Sequence, residues 1–518
     1  MPTLEPESGN SRVHDYIVIG AGPAGCQMAY FLERDGRDYL VLEREEVGNF
    51  FSNFPRFRKL ISNNKPNTGF DDPDKNLRWD WNSLLSDELD PVLTTYSKDY
   101  FPAADTLVEY LQDFAERYRL KIRTGVRVDR VSRDAETGIF TLTCSDGEER
   151  QARRVVVGTG AVHQYRPDFP GAELAEMYGE APQDPAAYTN QRVMVIGKGN
   201  AGFELAENIF ETSAVTHMLS PNPVRLAWST HHVSDVRAVN NNTLDSYQLK
   251  MQNTILDGHV RKLEKRDDGK LLLSFQYSHA QGQELTLTVD RVVLCTGFRY
   301  DYSIFDESCR PQLKNERFPD LTSSWESANV PDLFFIGTMM QARDYKRSFS
   351  GFIHGFRYNI RFLSQVFAER YHATSRAPEQ LPADSAAVAA HIVGRMVNAS
   401  SIFQLPAFLG DVYRVDDDSA FEALVDVPVD YALDHWKDRT LLVTTMEYGH
   451  LEPGTDPFSQ ERDPLDGSTS KFIHPVLRLY RGGELVTTYH VPEDLENEWD
   501  KEMYTVPLIT ALKEMLGR

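Results

Sequence analysis

Near its start the chain reads Asp15-Tyr-Ile-Val-Ile-Gly20-Ala-Gly22-Pro-Ala-Gly25-Cys-Gln-Met-Ala-Tyr30. The apolar run before the glycines predicts a buried parallel strand, and the pattern after them predicts a helix. Gly20 allows the tight turn, Gly22 admits a pyrophosphate, and Gly25 lets helix and strand pack closely. The free N–H groups at the start of such a helix bind phosphate.

A second apolar run, Tyr39 to Leu42, follows this helix and ends on Glu43, 18 residues after Gly25. A carboxylate at this position accepts hydrogen bonds from ribose hydroxyls. Strand, glycines, helix, strand and acid in this order predict a dinucleotide-binding fold, which we assign to FAD.

The same unit recurs as Gln191-Arg-Val-Met-Val-Ile-Gly197-Lys-Gly199-Asn-Ala-Gly202-Phe-Glu-Leu-Ala206. Two fingerprints 177 positions apart predict two bound nucleotides in one chain. At the place that corresponds to Glu43 stands Ser220, and Arg225 follows. A hydroxyl with an arginine nearby suits the 2′-phosphate of NADPH, although Arg225 as the cap of a surface turn is an alternative.

The sequence predicts an α/β fold with two Rossmann-like dinucleotide-binding domains and a smaller C-terminal α+β domain. Runs ending at Gly160, Gly297 and Gly337 are expected to mark strands that bring backbone close to ligands. We predict a discontinuous FAD domain (1–168 and 292–370), an NADPH domain (169–291), a linker (371–385) and an accessory domain (386–518). In the last, Arg481-Gly-Gly-Glu is expected to join two strands as a hairpin.

Composition limits the function classes. The formal charge of −22 disfavours affinity for nucleic acid or an anionic membrane. The four cysteines contain no CxxC pair, so neither a zinc site nor a thioredoxin-type dithiol is expected. No apolar stretch is long enough to span a bilayer, and the polar N-terminal stretch does not have the pattern of a signal peptide. We therefore expect a cytoplasmic protein without a metal.

Several further stretches resemble the class B flavin-containing monooxygenases and, more closely, the FAD-dependent oxidoreductase domain-containing flavoproteins. They include Leu60-Ile-Ser-Asn63-Asn-Lys, Arg78-Trp-Asp-Trp-Asn-Ser-Leu-Leu85 and Gly351-Phe-Ile-His-Gly-Phe-Arg-Tyr358. The resemblance implies that Asn63 faces the reactive edge of the flavin, although a turn asparagine is the alternative. Phe298, after Cys295-Thr-Gly, resembles a Thr-Gly-Tyr motif of related hydroxylases.

The resemblance implies a single-component monooxygenase that uses O2 and NADPH to oxygenate an amine nitrogen or a sulfur of a small molecule through a C4a-hydroperoxyflavin. An NADPH-dependent reductase of a disulfide or quinone is the alternative, and a non-catalytic flavoprotein partner is a third reading. His354, Arg357 and the stretch from Arg343 to Lys346 are candidate contacts of substrate or flavin. The C-terminal domain is expected to pack on the flavoprotein or to form a homo-oligomer contact.

One catalytic residue, Asn63, and a set of cofactor-binding residues follow from these readings. The latter are Gly20, Gly22, Gly25, Glu43, Arg44, Phe51, Val128, Gly160, Gly197, Gly199, Asn200, Gly202, Ser220, Arg225, Gly297, Gly337, Thr338 and Asp344.

Overall fold

A computed structural model describes residues 12–314, 317–415, 420–451, 456 and 461–517. The strands are β1 (Val13–Ile19), β2 (Tyr39–Leu42), β3 (Ile122–Arg123), β4 (Val128–Arg133), β5 (Phe140–Cys144), β6 (Glu149–Val157), β7 (His163–Gln164), β8 (Glu176–Met177), β9 (Arg192–Ile196), β10 (Val215–Ser220), β11 (Thr254–Lys265), β12 (Leu271–Tyr277), β13 (Glu284–Val289), β14 (Arg291–Leu294), β15 (Phe298–Arg299), β16 (Leu313–Lys314), β17 (Phe318–Pro319), β18 (Leu333–Phe335), β19 (Glu379–Pro382), β20 (Leu409–Arg414), β21 (Ala420–Pro428), β22 (Thr440–Glu447), β23 (His474–Arg481) and β24 (Glu484–His490).

The α-helices are α1 (Pro23–Arg34), α2 (Asn49–Asn53), α3 (Pro73–Asn76), α4 (Leu93–Tyr96), α5 (Ala104–Arg117), α6 (Asn200–Ile209), α7 (Ala227–Thr230), α8 (Asn242–Gln248), α9 (Ile353–His372), α10 (Ser385–Asn398), α11 (Ser401–Gln404), α12 (Val429–His435) and α13 (Glu502–Leu516). None of the helices in the described part of the chain is long and apolar enough to cross a membrane.

The first sheet has the order β3-β2-β1-β6-β5-β4, with β18 also paired to β6. Strands β3, β2, β1, β6 and β18 run parallel, so β1, β6 and β18 end side by side at Ile19, Val157 and Phe335. Both faces of β1 are covered, which explains why its sequence from Tyr16 is continuously apolar rather than alternating. The antiparallel strands β4 and β5 extend the sheet from the first half of β6.

The second sheet repeats this plan in the order β13-β12-β11-β10-β9-β14-β8. Strands β8, β14, β9, β10 and β11 are parallel, and β12 and β13 are antiparallel additions. The prediction of two Rossmann-like folds is therefore confirmed.

The predicted boundary between the NADPH domain and the second FAD segment differs from the structure. Strand β14 (Arg291–Leu294) pairs with β9 and β8 of the second sheet, so the chain returns toward the first unit after residue 294 rather than after 291. The run Arg291-Val-Val-Leu has the same pattern as Arg154-Val-Val-Val in β6. An apolar pattern predicts a strand, but it does not say which of two sheets receives it.

The C-terminal unit is an antiparallel sheet in the order β19-β21-β20-β22-β23-β24, with α10 and α13 packed together. The predicted hairpin is confirmed, with positive φ at Gly482 and Gly483 in the turn between β23 and β24. The predicted linker 371–385 is partly wrong, since it contains β19, which pairs with β21. Among the four residues of β19 only Leu381 is buried, so its sequence is too polar to predict a strand.

Both faces of this C-terminal sheet are covered, each by a different neighbour. Along β22, Leu441 and Val443 join the core of the first unit, whereas Leu442 and Met446 face the core beneath α10 and α13. Ion pairs of Arg343 with Asp430 and of Arg361 with Asp426 tie the two units together. The expectation that this region packs on the flavoprotein is confirmed.

Candidate active site at the two glycine-rich turns

The first glycine-rich turn is tightly packed at Gly20 and Gly25 and open at Gly22. Gly20 has φ +99°, and a Cβ on Gly25 would overlap the carbonyl oxygen of Gly20. A Cβ on Gly22 would meet no atom within 4 Å. Helix α1 begins directly after Gly22, with Pro23 in its first turn. The turn therefore holds an open cradle in front of a helix N-terminus, which suits a pyrophosphate.

A cavity of about 400 Å³, here called the dinucleotide cavity, extends from this turn. Its lining includes Gly20, Gly22, Glu43, Arg44, Val128 and Gly160. The carboxylate of Glu43 is 9% exposed and accepts hydrogen bonds from the Ala21 N–H at 2.7 Å and the Glu45 N–H at 3.0 Å. Glu43 thus holds the turn in shape and presents its remaining lone pairs at the cavity, where ribose hydroxyls are expected.

A second cavity of about 230 Å³, the inner cavity, continues from the first. The two share the lining residues Gly22, Phe50, Gly158, Thr159, Gly160 and Val162. Phe51, Gly337 and Thr338 line the inner cavity, and α9 begins at its wall with Ile353. Two helix N-termini and a row of glycines around an elongated cavity fit FAD, with its pyrophosphate at Gly22 and its ring system in the inner cavity.

Asn63 lies at the edge of the inner cavity and not in its lining. Its Oδ1 accepts a hydrogen bond from Arg237 Nη2 at 3.0 Å, and its carbonyl oxygen accepts from the Trp81 N–H. The neighbouring Asn64 is fully buried, and its amide donates to the carbonyl oxygens of Ser97 and Asp99. The two side chains therefore bond to different parts of the molecule, as expected of neighbours in an extended segment.

A wall of three polar and aromatic side chains closes the inner cavity. The Arg237 guanidinium carbon lies 5.0 Å from the Trp81 ring, and the Trp81 and His354 ring centroids are 4.5 Å apart. His354 is 2% exposed, and neither of its ring nitrogens has a partner among the described residues. Burial lowers the pKa of His354 well below its usual value, and the positive charges of Arg357 and Arg237 lower it further. The imidazole is therefore neutral.

Sequence reasoning missed Arg237 and Trp81 as parts of this wall. Trp81 belongs to the stretch Arg78–Leu85 that carries the family resemblance, which was a usable signal. Arg237 comes from a loop of the second unit in which no pattern singled it out.

The second glycine-rich turn has the same geometry as the first. Gly197 has φ +122°, a Cβ on Gly202 would overlap the Gly197 carbonyl oxygen, and a Cβ on Gly199 would again meet no atom within 4 Å. Asn200 opens α6, but its amide is engaged: Nδ2 donates to the carbonyl oxygens of Ser234 and Asp235, and Oδ1 accepts from the Arg237 N–H. Asn200 therefore ties the loop that carries Arg237 to this turn.

Ser220 stands at the end of β10, where a 2′-substituent of the adenine ribose is expected. It is half-buried, and its nearest partner is the Asn222 carbonyl oxygen at 3.4 Å. The Arg225 side chain is 53% exposed, and its Nε donates to Asp235 at 3.1 Å. Asp235 orients the guanidinium and leaves its outer N–H groups exposed to solvent.

A third cavity of about 350 Å³, the interdomain cavity, lies between the start of α6 and the segment from Phe50 to Ile61. Asn200, Ala201 and Phe298 line it, and Phe298 packs on Phe54 with ring centroids 5.0 Å apart. Phe50 lines all three cavities and thus stands where they meet. Gly297, with φ +86°, directly precedes Phe298 at this meeting point of the cavities.

Several sequence candidates lie outside the cavities. Asp344 is 1% exposed and accepts a hydrogen bond from the Ser350 N–H, and burial raises its pKa to about 6. Arg357 donates to the carbonyl oxygens of Leu77, Asp80 and Ser83, so the expectation that it contacts a ligand is wrong. Arg343 is likewise engaged with Asp430. Long cationic side chains near a predicted site resemble ligand contacts in a sequence, but here they bind backbone carbonyls and a distant carboxylate.

All four cysteines are buried, unpaired and absent from the lining of the three cavities. Burial raises the pKa of Cys26 to about 12 and that of Cys309 to about 11, and it also raises those of Cys144 and Cys295. Thiols with such pKa values stay protonated and are poor nucleophiles. Among the described residues there is also no group of histidines, cysteines and carboxylates that could hold a metal ion.

The model of the pyridine nucleotide-disulphide oxidoreductase family matches residues 17–337, which include both glycine-rich turns. The chain belongs to this family. It is an FAD-dependent oxidoreductase, and the expectation of FAD and a pyridine nucleotide as cofactors is confirmed by the family. The chain is 36% identical to FAD-dependent oxidoreductase domain-containing protein 2 of Mus musculus, over 98% of this chain and 81% of the mouse protein. The same-named protein of Danio rerio is 35% identical over 97% of this chain and 83% of its own length.

Two solved structures agree with this chain in fold. A flavin-containing monooxygenase from Stenotrophomonas maltophilia has a TM-score of 0.53 at 22% identity, over 69% of this chain and 99% of the other. A bacillithiol disulfide reductase from Staphylococcus aureus has a TM-score of 0.55 at 18% identity, over 70% and 99%. Because one fold includes both an oxygenase and a reductase, the choice between them rests on the site.

Proposed function

We propose that the protein is a single-component monooxygenase in which NADPH and FAD drive the transfer of one oxygen atom from O2 to a soft nucleophile. The nucleophile is an amine nitrogen or a sulfur of a small molecule. The reaction consumes NADPH, a proton and O2, and it yields the oxygenated product, NADP⁺ and water. Both the nicotinamide and O2 must then react beside the inner cavity.

The observation that carries this proposal is the composition of the inner cavity. Its lining is mostly aromatic, aliphatic and glycine residues, and it contains neither a cysteine nor a carboxylate. Exclusion of water protects a reactive oxygen species from wasteful release as peroxide. A reductase that passes electrons through its own dithiol would need two thiols at this place, and the four buried cysteines do not supply them.

FAD is proposed to bind along the joined dinucleotide and inner cavities. The turn Gly20–Gly25 and the start of α1 hold the pyrophosphate, and Glu43 holds the ribose. Arg44, Phe51, Val128, Gly160, Gly337 and Thr338 complete the lining. Asp344 fixes the Ser350 backbone behind the cavity. Bound FAD supplies the two-electron chemistry that couples a nicotinamide to O2.

NADPH is proposed to bind at Gly197, Gly199 and Gly202, with its 2′-phosphate between Ser220 and Arg225. The outer N–H groups of Arg225 are exposed and oriented by Asp235. Asn200 shapes the loop above this turn, and Gly297 with Phe298 forms the corner toward the first unit. The nicotinamide would then enter by the interdomain cavity, which meets the inner cavity at Phe50.

Asn63 is proposed to support the oxygen chemistry. Its Oδ1 is held by Arg237, while its Nδ2 has no partner among the described residues and is free to donate toward a ligand. A neutral amide donor stabilises developing negative charge without itself being consumed as an acid.

The test uses the purified full-length holoprotein under air, with a panel of small amines and sulfides. The expected result is NADPH oxidation that is stimulated by one class of nucleophile, with a product one oxygen atom heavier by mass spectrometry. A parallel anaerobic assay offers a disulfide and a quinone as electron acceptors. Fast anaerobic reduction of either, with no oxygenated product under air, would contradict the proposal and establish the reductase.

Two further features are proposed with it. Four unpaired cysteines support a reducing compartment such as the cytoplasm.

The edge strand β24 exposes Leu485 and Val486, which supports a homo-oligomer contact through the C-terminal unit. Light scattering of the purified protein measures the oligomeric state, and a monomer at all concentrations would contradict the contact.

A further inference from the structure

Arg237 is a cation in the wall of the inner cavity without a counter-charge. Among the described residues its guanidinium has one hydrogen-bond partner, the neutral amide of Asn63, and no carboxylate lies within ion-pair distance. Arg225, by contrast, is paired with the carboxylate of Asp235. A half-buried guanidinium left with unused N–H groups favours an anion close by.

His354 is a second unused polar group in the same wall. It is almost completely buried, and both ring nitrogens are without partners among the described residues. A buried donor and acceptor left unsatisfied destabilise a fold, so such groups normally have a ligand or a structural role. Here the ring stacks on Phe352, packs at a tilt against Trp81 and borders the cavity, which leaves its nitrogens for a ligand.

The surroundings of these two groups determine the kind of ligand. The lining of the inner cavity contains no aspartate or glutamate, so its charge is set by Arg237 alone. Trp81, Val233 and Phe352 form the apolar and aromatic lining near Arg237 and His354. The polar lining residues Ser62 and Asn82 are hydrogen-bonded to each other. Trp81 directs its own N–H away, to the Arg78 carbonyl oxygen. The pocket therefore offers one positive charge, one neutral imidazole and flat apolar surfaces.

We propose that the substrate carries a carboxylate, which binds Arg237 and His354, while its apolar part lies along Trp81 and Phe352. This assignment rests on the proposed function, and it narrows the soft nucleophile to small carboxylic acids with a nitrogen or sulfur atom. One guanidinium and one neutral N–H match the two oxygens of a planar monoanion. A phosphate dianion would leave most of its oxygens against apolar walls.

The test measures binding rather than turnover. Oxidised full-length holoprotein is titrated with benzoate and with benzyl alcohol, its neutral counterpart, and the flavin absorbance change is followed. Benzoate is expected to bind at least ~10-fold more tightly than benzyl alcohol. Arg237→Met is expected to weaken benzoate binding by ~10- to 100-fold, the effect of losing a charge-assisted hydrogen bond, and to leave benzyl alcohol unchanged.

Three further measurements separate loss of the anion site from loss of FAD or of NADP⁺ binding. Arg237→Lys keeps the charge and is expected to retain part of the benzoate affinity even if the methionine variant loses FAD. Arg299→Met is the matched control: Arg299 is exposed, stacks on Tyr165 at 3.6 Å and lines none of the cavities, so benzoate binding should not change. The affinity for NADP⁺ is measured for each variant.

The inference is overturned if Arg237→Met and Arg237→Lys both bind benzoate like the wild type. It is also overturned if they lose NADP⁺ affinity while benzoate binding is intact, because Arg237 would then serve the nicotinamide nucleotide. Charge-dependent benzoate binding in a holoprotein that never forms an oxygenated product would support the anion site and reject the monooxygenase. If neutral substrates are oxygenated equally well by Arg237→Met and by the wild type, the monooxygenase is supported and the anion site is rejected.

Discussion

The two glycine-rich turns of this protein have nearly the same backbone and different surroundings. In both, the third glycine packs against the carbonyl oxygen of the first, and the second glycine faces open space. The first turn leads into a buried acid, Glu43, at the bottom of a long cavity. The second leads to the half-buried Ser220 and the exposed Arg225. On the proposed assignment, equal local geometry holds one nucleotide in a cavity and another at the surface.

On this assignment, the difference predicts how firmly each cofactor is retained. A ligand enclosed by two joined cavities leaves slowly, as suits a flavin that stays bound through many turnovers. A nucleotide held at an exposed edge by one charged contact exchanges readily, as suits a cosubstrate that is consumed.

Gly22→Val should abolish FAD retention, to less than ~10% of the wild-type flavin content, because the side chain fills the space of the pyrophosphate. The fold should survive, because no protein atom lies within 4 Å of the added Cβ. The matching change Gly199→Val should keep the flavin and impair only NADPH use. Flavin absorbance per polypeptide and circular dichroism check both variants. A yellow Gly22→Val protein would show that FAD does not use the first turn.

Asn63→Ala tests the point at which the two units touch, since Asn63 belongs to the first and Arg237 to the second. The oxygenated product should fall by ~10²–10³ relative to NADPH consumed, with hydrogen peroxide released instead, because an oriented donor is lost. The rate of flavin reduction should stay nearly the same. Stopped-flow absorbance and a peroxide assay give both values.

Asn64→Ala is the control for this variant. Asn64 is buried and bonded to the Ser97 and Asp99 carbonyl oxygens, so its loss should lower stability without uncoupling the reaction. An Asn63→Ala enzyme that stays coupled would make Asn63 a structural asparagine and would favour the reductase.

Arg225→Ala should reduce the preference for NADPH over NADH by about one to two decades in kcat/KM, the effect of losing one charge-assisted contact with the 2′-phosphate. Ser220→Asp should lower NADPH use further, since a carboxylate repels the phosphate. Steady-state kinetics with both nucleotides measure the ratio. A wild type that uses NADH and NADPH equally would contradict this assignment.

The second sheet should also be the more acid-sensitive of the two. Burial and the charge of Arg192 lower the pKa of His217 to about 4, and its ring bonds to Thr254. The folded state therefore binds a proton less readily than the unfolded state, whose pKa is about 6.5. This group does not affect the free energy of unfolding above about pH 6.5. Below that pH the free energy of unfolding decreases, by at most about 2 kcal/mol at pH 5.

Thermal unfolding of the wild type and His217→Asn at pH 7.5 and pH 5 measures this loss. His14 of the first sheet faces the carboxylate of Asp38, so His14→Asn is the matched control and should not remove the pH dependence. If His217→Asn is as acid-sensitive as the wild type, another group is responsible.

Both dinucleotide-binding folds, the strands that begin them and the hairpin between β23 and β24 could be predicted from the sequence. These features depend on residues close together in the chain: glycines at fixed spacing, continuous apolar runs, and a Gly-Gly turn. Local sterics contribute, because a side chain on Gly25 or Gly202 would overlap the carbonyl oxygen of the first glycine in the same turn. The candidate cofactor residues on these turns followed from the same spacing.

The folded structure was needed to place β14 in the second sheet, to place β19 in the C-terminal sheet, and to bring Arg237 of one unit to Asn63 of the other. It also showed that Arg357, which looked like a ligand contact, holds backbone carbonyls, whereas His354 has no partner among the described residues. These facts depend on pairs of residues separated by many positions, such as Asn63 and Arg237. Which polar side chain finds a partner is a property of the packed chain, and no local pattern in the sequence encodes it.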